Sequence, residues 1–341
     1  MKKYILIFIG VFSLSFSSKA QDGFESILLA DAADSKKLMQ AYFAPGMEAF
    51  INSMNSGWYH TAKVHKILGF DISIGASGSM IPSEKELFNI QALGLSSVTS
   101  TSSTASTFGG DSNNTTPMVV STTVNGQNVT ANFDSPGGAG LPGNFVPAPI
   151  AQVNLGLPGK FEAMVRLVPK INIGDNDGSV NMLGLGLKKE ITNWFGPMEK
   201  TPLHVSLLAA YTTMDVDYGI GDVNSANLEI RNGLSKFNLK AFTVQAIASL
   251  NFPIINLYGG LGYNSGSSSF DMSGTFTGIY EDGLGNEVRK TLTVPSNLDF
   301  ESKGFNTTIG ARLSLGFFKI FASYTLQEYN ALSAGISLGI R

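Results

Sequence analysis

The chain has 341 residues, no cysteine and a formal net charge of −3. Its charged fraction of 14% is low beside the roughly 25% of soluble domains. The missing cysteines exclude disulfide bonds, and the negative charge argues against nucleic acid as a partner.

Residues 1–20 have the layout of a secretory signal peptide. Lys2 and Lys3 form a positive start, residues 4–16 an apolar core, and residues 18–20 a small-residue cleavage site. An anchor helix is the alternative, although the apolar core is short for one. No later stretch approaches the ~18 uninterrupted apolar residues of a transmembrane helix.

Residues 21–62 have a helical period, with apolar side chains three and four residues apart. We expect one or two amphipathic helices, broken near residues 45–46, that lie at the periplasmic mouth of a barrel or plug its lumen. A lumenal helix would favour more than ten strands, because an eight-stranded barrel is already filled by its own side chains. The candidate plug residues are Leu38, Tyr42, Phe50 and Met54.

Residues 63–341 have the period of two that is typical of β-strands. Near the end of the chain, for example, Leu332, Ala334 and Ile336 alternate with Ser333 and Gly335. Short links alternate with long polar connections, as in transmembrane β-barrels. The apolar face is therefore expected to contact lipid and the small polar face a wet or plugged lumen, because a spanning sheet must close to satisfy its backbone.

The predicted fold is an all-β transmembrane, antiparallel, up-and-down outer-membrane β-barrel with a short N-terminal helical segment. Ten strands are predicted, with twelve or fourteen as alternatives. They lie near residues 66–80, 147–157, 160–173, 179–191, 203–218, 237–251, 255–280, 289–315, 317–329 and 331–341.

The longest connection, residues 81–146, is predicted to be an extracellular excursion. Its low-complexity run, SSVTSTSSTASTF, favours solvated disorder, with an O-glycosylated stalk as the alternative. Asn125-Gly126 between β-prone arms predicts a two-residue hairpin.

Charged and polar side chains on the predicted lumenal face are the candidate site residues. They can select a solute, or they can form ion pairs across a narrow interior and bind the plug, which is the interpretation we favour. The candidates are Asp71, Glu162, Arg166, Lys170, Lys188, Glu190, His204, Arg312 and Lys319.

His204 and Ser206 share a strand face, which resembles the His-x-Ser pair of the outer-membrane phospholipase. Two polar lumen residues are the simpler interpretation, so we expect no enzyme activity. His60 and His65 are too far apart in sequence for a helical metal pair, and no metal or cofactor is expected.

Two stretches, residues 35–79 (SKKLMQAYFAPGMEAFINSMNSGWYHTAKVHKILGFDISIGASGS) and residues 154–191 (NLGLPGKFEAMVRLVPKINIGDNDGSVNMLGLGLKKEI), resemble an uncharacterised outer-membrane β-barrel family of Bacteroidota. That family is distantly similar to the long-chain fatty-acid and aromatic-hydrocarbon channels. The resemblance implies an N-terminal hatch in the lumen, a part that residues 22–62 would take.

Together these features predict a porin-like protein of the outer membrane of a Gram-negative bacterium, acting as a passive channel or carrier for small, hydrophobic solutes. The alternatives are a structural or adhesive surface protein that binds through residues 81–146, and, more remotely, a barrel hydrolase. Expected partners are outer-membrane lipid, the outer-membrane assembly machinery and a hydrophobic small molecule.

Overall fold

The computed structural model describes residues 23–173 and 178–340. The expected signal peptide lies outside these residues. The strands are β1 (Phe70–Met80), β2 (Leu87–Asn89), β3 (Val98–Thr99), β4 (Thr104–Ser106), β5 (Thr116–Val124), β6 (Gln127–Ser135), β7 (Phe145–Leu157), β8 (Phe161–Ile173), β9 (Gly178–Glu190), β10 (Leu203–Asn224), β11 (Leu228–Asn251), β12 (Ile255–Asp282), β13 (Glu287–Thr291), β14 (Leu298–Leu315), β15 (Phe318–Leu326) and β16 (Ala331–Ile340). The single α-helix in the described residues is α1 (Ala32–Asn55), and 3₁₀ turns cover Phe24–Leu29, Ser83–Lys85, Gln91–Leu93, Pro142–Asn144 and Thr192–Lys200.

Ten of these strands close into an antiparallel barrel in the order β1-β7-β8-β9-β10-β11-β12-β14-β15-β16, with β16 pairing back to β1. The turns at residues 158–160, 252–254 and 316–317 lie at one end, which we call the short-turn end. Residues 81–144 and the connection after β12 lie at the other, the long-loop end. The predicted ten-stranded antiparallel barrel is therefore confirmed.

Side chains alternate across the wall as the period of two requires. On β15, Ile320 and Tyr324 are exposed on the outside, whereas Lys319 and Ser323 are buried inside. Phe321 is the exception, because this aromatic side chain points inward and stacks on His60 with ring centroids 5.0 Å apart. An apolar outer face and a polar inner face are what a barrel in lipid requires.

One candidate residue lies on the opposite face from the prediction. The ladder between β8 and β9 shifts between Val168 and Ile171, next to Pro169, which has no N–H to donate. A one-residue irregularity exchanges the two faces of a strand. Lys170 is accordingly exposed, and Ile171 packs against the inner core instead. The parity prediction for Lys170 was therefore wrong.

Four neighbouring strands continue beyond the length that a membrane needs. β11 has 24 residues, whereas about 9–11 residues of tilted strand cross the hydrocarbon. Outward side chains are apolar from the short-turn end up to Phe242, Tyr263 and Phe305, and polar or charged beyond them, as at Lys240 and Lys303. The change of character marks the upper edge of the apolar band.

Helix α1 enters the barrel from the long-loop end and contacts β1, β7, β10, β11, β12 and β14. It is one continuous helix through Pro45, so the predicted break near residues 45–46 is wrong. Proline removes one backbone hydrogen bond, and packing inside the lumen offsets that loss. None of the described helices is long and apolar enough to cross a bilayer.

The lumen has room for this helix because its wall carries glycine where the N-terminal segment comes close. A Cβ on Gly184 would lie 2.9 Å from the Trp58 ring, and one on Gly266 would overlap the Ile51 side chain. Missing side chains on the wall thus give the space that a larger strand number would otherwise supply. The expectation that a lumenal helix would favour more than ten strands was wrong for this reason.

Residues 81–144, which we call the cap, are folded. Val120, Phe133 and Ile90 share one apolar core with Leu28 and Tyr42 of the N-terminal segment. The predicted Asn125-Gly126 hairpin is present between β5 and β6, with φ of 51° and 82° at its two central residues. The serine-threonine run contributes β3 and β4, so the expected solvated disorder was wrong.

Candidate functional site

The end of helix α1 is held by a buried arginine. Arg166 on β8 donates to the carbonyl oxygens of Met54 at 3.2 Å and Gly57 at 3.0 Å, and its guanidinium lies 4.2 Å from the centre of the Trp58 ring. A helix leaves its last carbonyls unpaired and its C-terminus partly negative, so a cation there is favourable. Arg166 therefore fixes the point at which the helix ends and the chain continues down the lumen.

Residues 56–66 then pass down the lumen without forming a helix or a strand. Side chains of the wall satisfy their backbone. Gln152 donates to the Trp58 carbonyl at 3.0 Å, and Ser249 accepts from the Ala62 N–H at 3.0 Å. Ser206 donates to the Ala62 carbonyl. Because buried backbone groups need partners, these polar wall residues are what allows irregular chain inside the barrel.

Two carboxylates anchor the lower part of this segment. Glu162 accepts from the His65 N–H at 3.0 Å and pairs with its ring Nδ1 at 2.7 Å. Lys188 lies 2.6 Å from the other oxygen of Glu162. Glu190 accepts from the Val64 N–H at 3.1 Å. Glu190 thus binds the segment through its backbone, and Glu162 binds both the backbone and the ring of His65.

Asp71, fully buried at the start of β1, is the centre of a second group. One of its oxygens lies 3.4 Å from His60 Nε2, 3.3 Å from His65 Nε2 and 3.9 Å from Lys319 Nζ. Arg312 lies 2.9 Å from His60 Nδ1. An arginine can only donate, so His60 Nδ1 accepts, and its proton is on the nitrogen that faces Asp71.

These contacts give the site one chemical character. Each buried carboxylate lies against at least one cationic or imidazole group, as the cost of burying an isolated charge demands. The group lies in the short-turn half of the lumen and is occupied by the chain's own segment. Its geometry can fix residues 56–66 in place.

His204 and Ser206 are not joined by a hydrogen bond among the described contacts. His204 Nδ1 lies 2.8 Å from Glu190, which supplies the third residue that the sequence did not reveal. The Ser206 hydroxyl, however, donates to Ala62 and is fully buried. A nucleophile needs its base within hydrogen-bond reach. The described side chains also include no group of three or more ligands that could hold a metal ion.

The four candidate plug residues divide between two regions. Leu38 and Tyr42 belong to the core shared with the cap, where the Tyr42 hydroxyl donates to the Gly137 carbonyl at 2.9 Å. Burial raises the pKa of Tyr42 well above its ordinary value. Met54 and Phe50 pack lower, against inward side chains of the barrel wall. The helix therefore joins the cap to the lumen.

The family of this chain follows from a match over residues 1–340 to a family model described as a family of unknown function, DUF6588. The chain belongs to DUF6588. No curated protein matches it.

Solved structures that this DUF6588 chain resembles are bacterial outer-membrane proteins. The translocator domain of the autotransporter NalP from Neisseria meningitidis is 10% identical over 80% of this chain and 88% of its own, with a TM-score of 0.30. Ail, the attachment invasion locus protein of Yersinia pestis, is 10% identical over 80% of this chain and 100% of its own, with a TM-score of 0.26. A major outer membrane protein from Thermus thermophilus is 10% identical over 80% of this chain and 99% of its own, with a TM-score of 0.20. Likenesses at this level say nothing about what this chain binds.

Sequence reasoning missed the segment residues that meet the charged wall. Trp58, His60 and His65 lie at the centre of the lumenal contacts. Their only signal was a run of aromatic and imidazole side chains between a helical period and the first strand. Nothing in that run specifies which wall residues it contacts, because those come from β1, β7, β8, β9, β14 and β15.

Proposed function

We propose that this protein resides in the outer membrane of a Gram-negative bacterium and is a structural or adhesive surface protein that binds through its long-loop end. The observation that carries the proposal is the folded cap, whose core includes Val120 and Phe133 together with Leu28 of the N-terminal segment. An excursion that only linked two strands would need no core of its own.

The extended strands support the same proposal. Leu228, Phe270 and Phe276, which lie on β11 and β12 beyond the apolar band, complete the core of the cap. An apolar groove of about 390 Å³ lies between the N-terminal segment, β6 and the connection of β10 with β11. Leu29, Phe133, Tyr218, Ile220 and Leu228 are among the residues that line it. A folded surface with an apolar recess is suited to binding another macromolecule.

Cell attachment tests this proposal. Gram-negative host cells producing the protein are compared with cells producing Ile220→Ser, in the groove, and Val119→Ser, an exposed apolar residue of the cap outside it. Attachment to immobilised polysaccharides and to other producing cells is measured at equal surface levels. We expect attachment that Ile220→Ser reduces and Val119→Ser leaves unchanged. Attachment no greater than that of cells without the protein rejects the proposal.

The second candidate function is that of a carrier for small hydrophobic solutes in a bacterium of the Bacteroidota. Such a carrier would be similar to the long-chain fatty-acid channels named in the sequence analysis. One observation favours it. Residues 56–66 are held by side chains and belong to no sheet ladder, so they can leave without unzipping the wall.

A reversible disulfide between α1 and the barrel wall tests whether the protein is a carrier. Asn52 on α1 donates to Ser302 on β14 at 2.8 Å, and the chain has no cysteine, so Asn52→Cys with Ser302→Cys introduces one defined pair. A carrier should lose uptake of a hydrophobic solute on oxidation and regain it on reduction. The single variant Ser302→Cys is the control. If the protein shows no uptake of the solute, or if oxidation does not change the uptake, the carrier function is rejected.

We further propose that the protein has no enzymatic role and that its partners include membrane lipid and the machinery that assembles outer-membrane barrels, and not nucleic acid. Esterase activity of the detergent-solubilised protein that Ser206→Ala abolishes would overturn the first point.

A further inference from the structure

A depression of about 410 Å³ lies on the outer wall of the barrel, where β11, β12 and β14 pass from the apolar band into the charged region. Ser265 and Ser267 of β12 are part of its lining, and Lys240 and Lys303 stand on the two neighbouring strands. It shares no lining residue with the groove at the cap.

Strand register explains the depression. Ser265 pairs with Phe242 on one side and Lys303 on the other. One row further, Ser267 pairs with Lys240 and Glu301. Small serines on the middle strand between longer side chains on both flanks produce a recess, because cross-strand neighbours lie only about 5 Å apart.

The two lysines at this recess have no carboxylate partner in the described parts of the chain. Both side chains are exposed, and neither ammonium group forms an ion pair with residues 23–173 or 178–340. Elsewhere on the same extended wall, Arg231 pairs with Asp222 and Arg289 pairs with Glu229. Glu301 also lines the recess, which leaves one excess positive charge there.

The level of the recess relative to the bilayer indicates which kind of ligand it can bind. Tyr211 and Phe242 line its lower edge, and the pair Tyr263 and Phe305, with ring centroids 5.4 Å apart, lies one row below. Aromatic girdles of barrels lie at the membrane interface, which is the level of lipid phosphate groups. Lysines just above such a girdle attract anionic headgroups.

We propose that this recess binds the phosphate group of a phosphorylated membrane lipid, with Lys240 and Lys303 contacting the phosphate from two sides and the acyl chains lying along Phe242 and Tyr263. The Lys240 and Lys303 ammonium groups donate charge-assisted hydrogen bonds to phosphate oxygens. Glu301 opposes the phosphate, so it limits the affinity.

Native mass spectrometry of the detergent-solubilised protein tests this site. The protein is titrated with lipid A, a phosphorylated glycolipid, and separately with phosphatidylcholine, whose phosphate is neutralised by its choline. The test variant is Lys240→Gln with Lys303→Gln. Its charge-matched control is Lys36→Gln with Lys236→Gln, two exposed lysines outside the recess.

We expect the wild type to bind lipid A more tightly than it binds phosphatidylcholine. The test variant should bind lipid A about tenfold or more weakly than the wild type does, and the control should bind it as tightly as the wild type. Glu301→Gln should bind lipid A more tightly than wild type. Equal binding by wild type and test variant, equal losses in both double variants, or equal binding of the two lipids would each overturn the site. Displacement of lipid A by an equal concentration of inorganic phosphate would do so as well, because it would reveal a simple anion site.

Discussion

Glu162 on the barrel wall accepts two hydrogen bonds from His65 of the N-terminal segment, at 3.0 Å from the backbone N–H and 2.7 Å from the ring. The same carboxylate pairs with Lys188 at 2.6 Å. A residue that the sequence marks as lumenal thus connects the wall to the segment that fills it. The charges inside this barrel are accordingly better explained as anchors of residues 56–66 than as a filter for passing solutes.

Replacing Glu162 with glutamine should destabilise the protein by about 3 kcal/mol, because it leaves Lys188 buried beside a neutral group. The urea midpoint in detergent micelles measures this change. Glu287→Gln, on an exposed strand, is the control and should leave the midpoint unchanged. A midpoint for Glu162→Gln equal to that of the control would show that the contact does not stabilise the fold.

Leucine at Gly184 should overpack the lumen, since even a Cβ there would lie 2.9 Å from the Trp58 ring. We expect a loss of about 1–3 kcal/mol in unfolding free energy. Trp58→Ala removes the ring, so the double variant Gly184→Leu with Trp58→Ala should be less destabilised than the two single losses predict together. Gly304→Ala serves as the control, because no heavy atom of the described residues, other than those of its two chain neighbours, lies within 4 Å of a Cβ at that position. Additive losses would mean that Trp58 does not lie against this wall.

The contact between Asp34 and the serine-threonine run should make the cap sensitive to acid. Burial alone would raise the pKa of Asp34, but hydrogen bonds from the Ser97 N–H at 2.6 Å and hydroxyl at 2.8 Å, with the Ser96 N–H at 2.8 Å, outweigh it and lower the pKa. A group whose pKa is lower in the folded state stabilises that state above its unfolded pKa, and the contribution is lost as the pH falls through the folded pKa.

Asp34→Asn should therefore lower the urea midpoint at pH 7 and have progressively less effect below about pH 4, the ordinary range of a carboxyl group. Asp222→Asn, at an exposed ion pair of the wall, should show a much smaller effect. Equal losses for Asp34→Asn at neutral and acid pH would assign the effect to side-chain shape instead of charge.

The period of two was sufficient for the barrel, because lipid on one face and polar contacts on the other impose alternation on every spanning strand. It located Asp71, Glu162 and Arg312 on the inner face. The prediction of the inner face was wrong for Lys170, because a ladder shift beside Pro169 exchanges the two faces of the strand. The alternation of apolar and polar residues in the sequence does not reveal where such a shift occurs.

Long-range contacts explain the remaining differences. Pro45 was expected to end a helix, but the packing that keeps α1 continuous comes from the wall and the cap, far away in sequence. The order of Ser97 likewise depends on Asp34, more than 60 residues earlier. Composition alone cannot distinguish a solvated serine-threonine run from one that a distant carboxylate fixes.

Electrical conductance in planar bilayers tests the closed lumen most directly. A wild-type protein whose lumen is filled by the lower part of α1 and by residues 56–66 should insert without opening a steady ion current, whereas a variant lacking residues 24–66 should conduct. Circular dichroism of the variant in detergent checks that its sheet is retained. A steady current through wild type equal to that through the sheet-retaining variant would contradict the account.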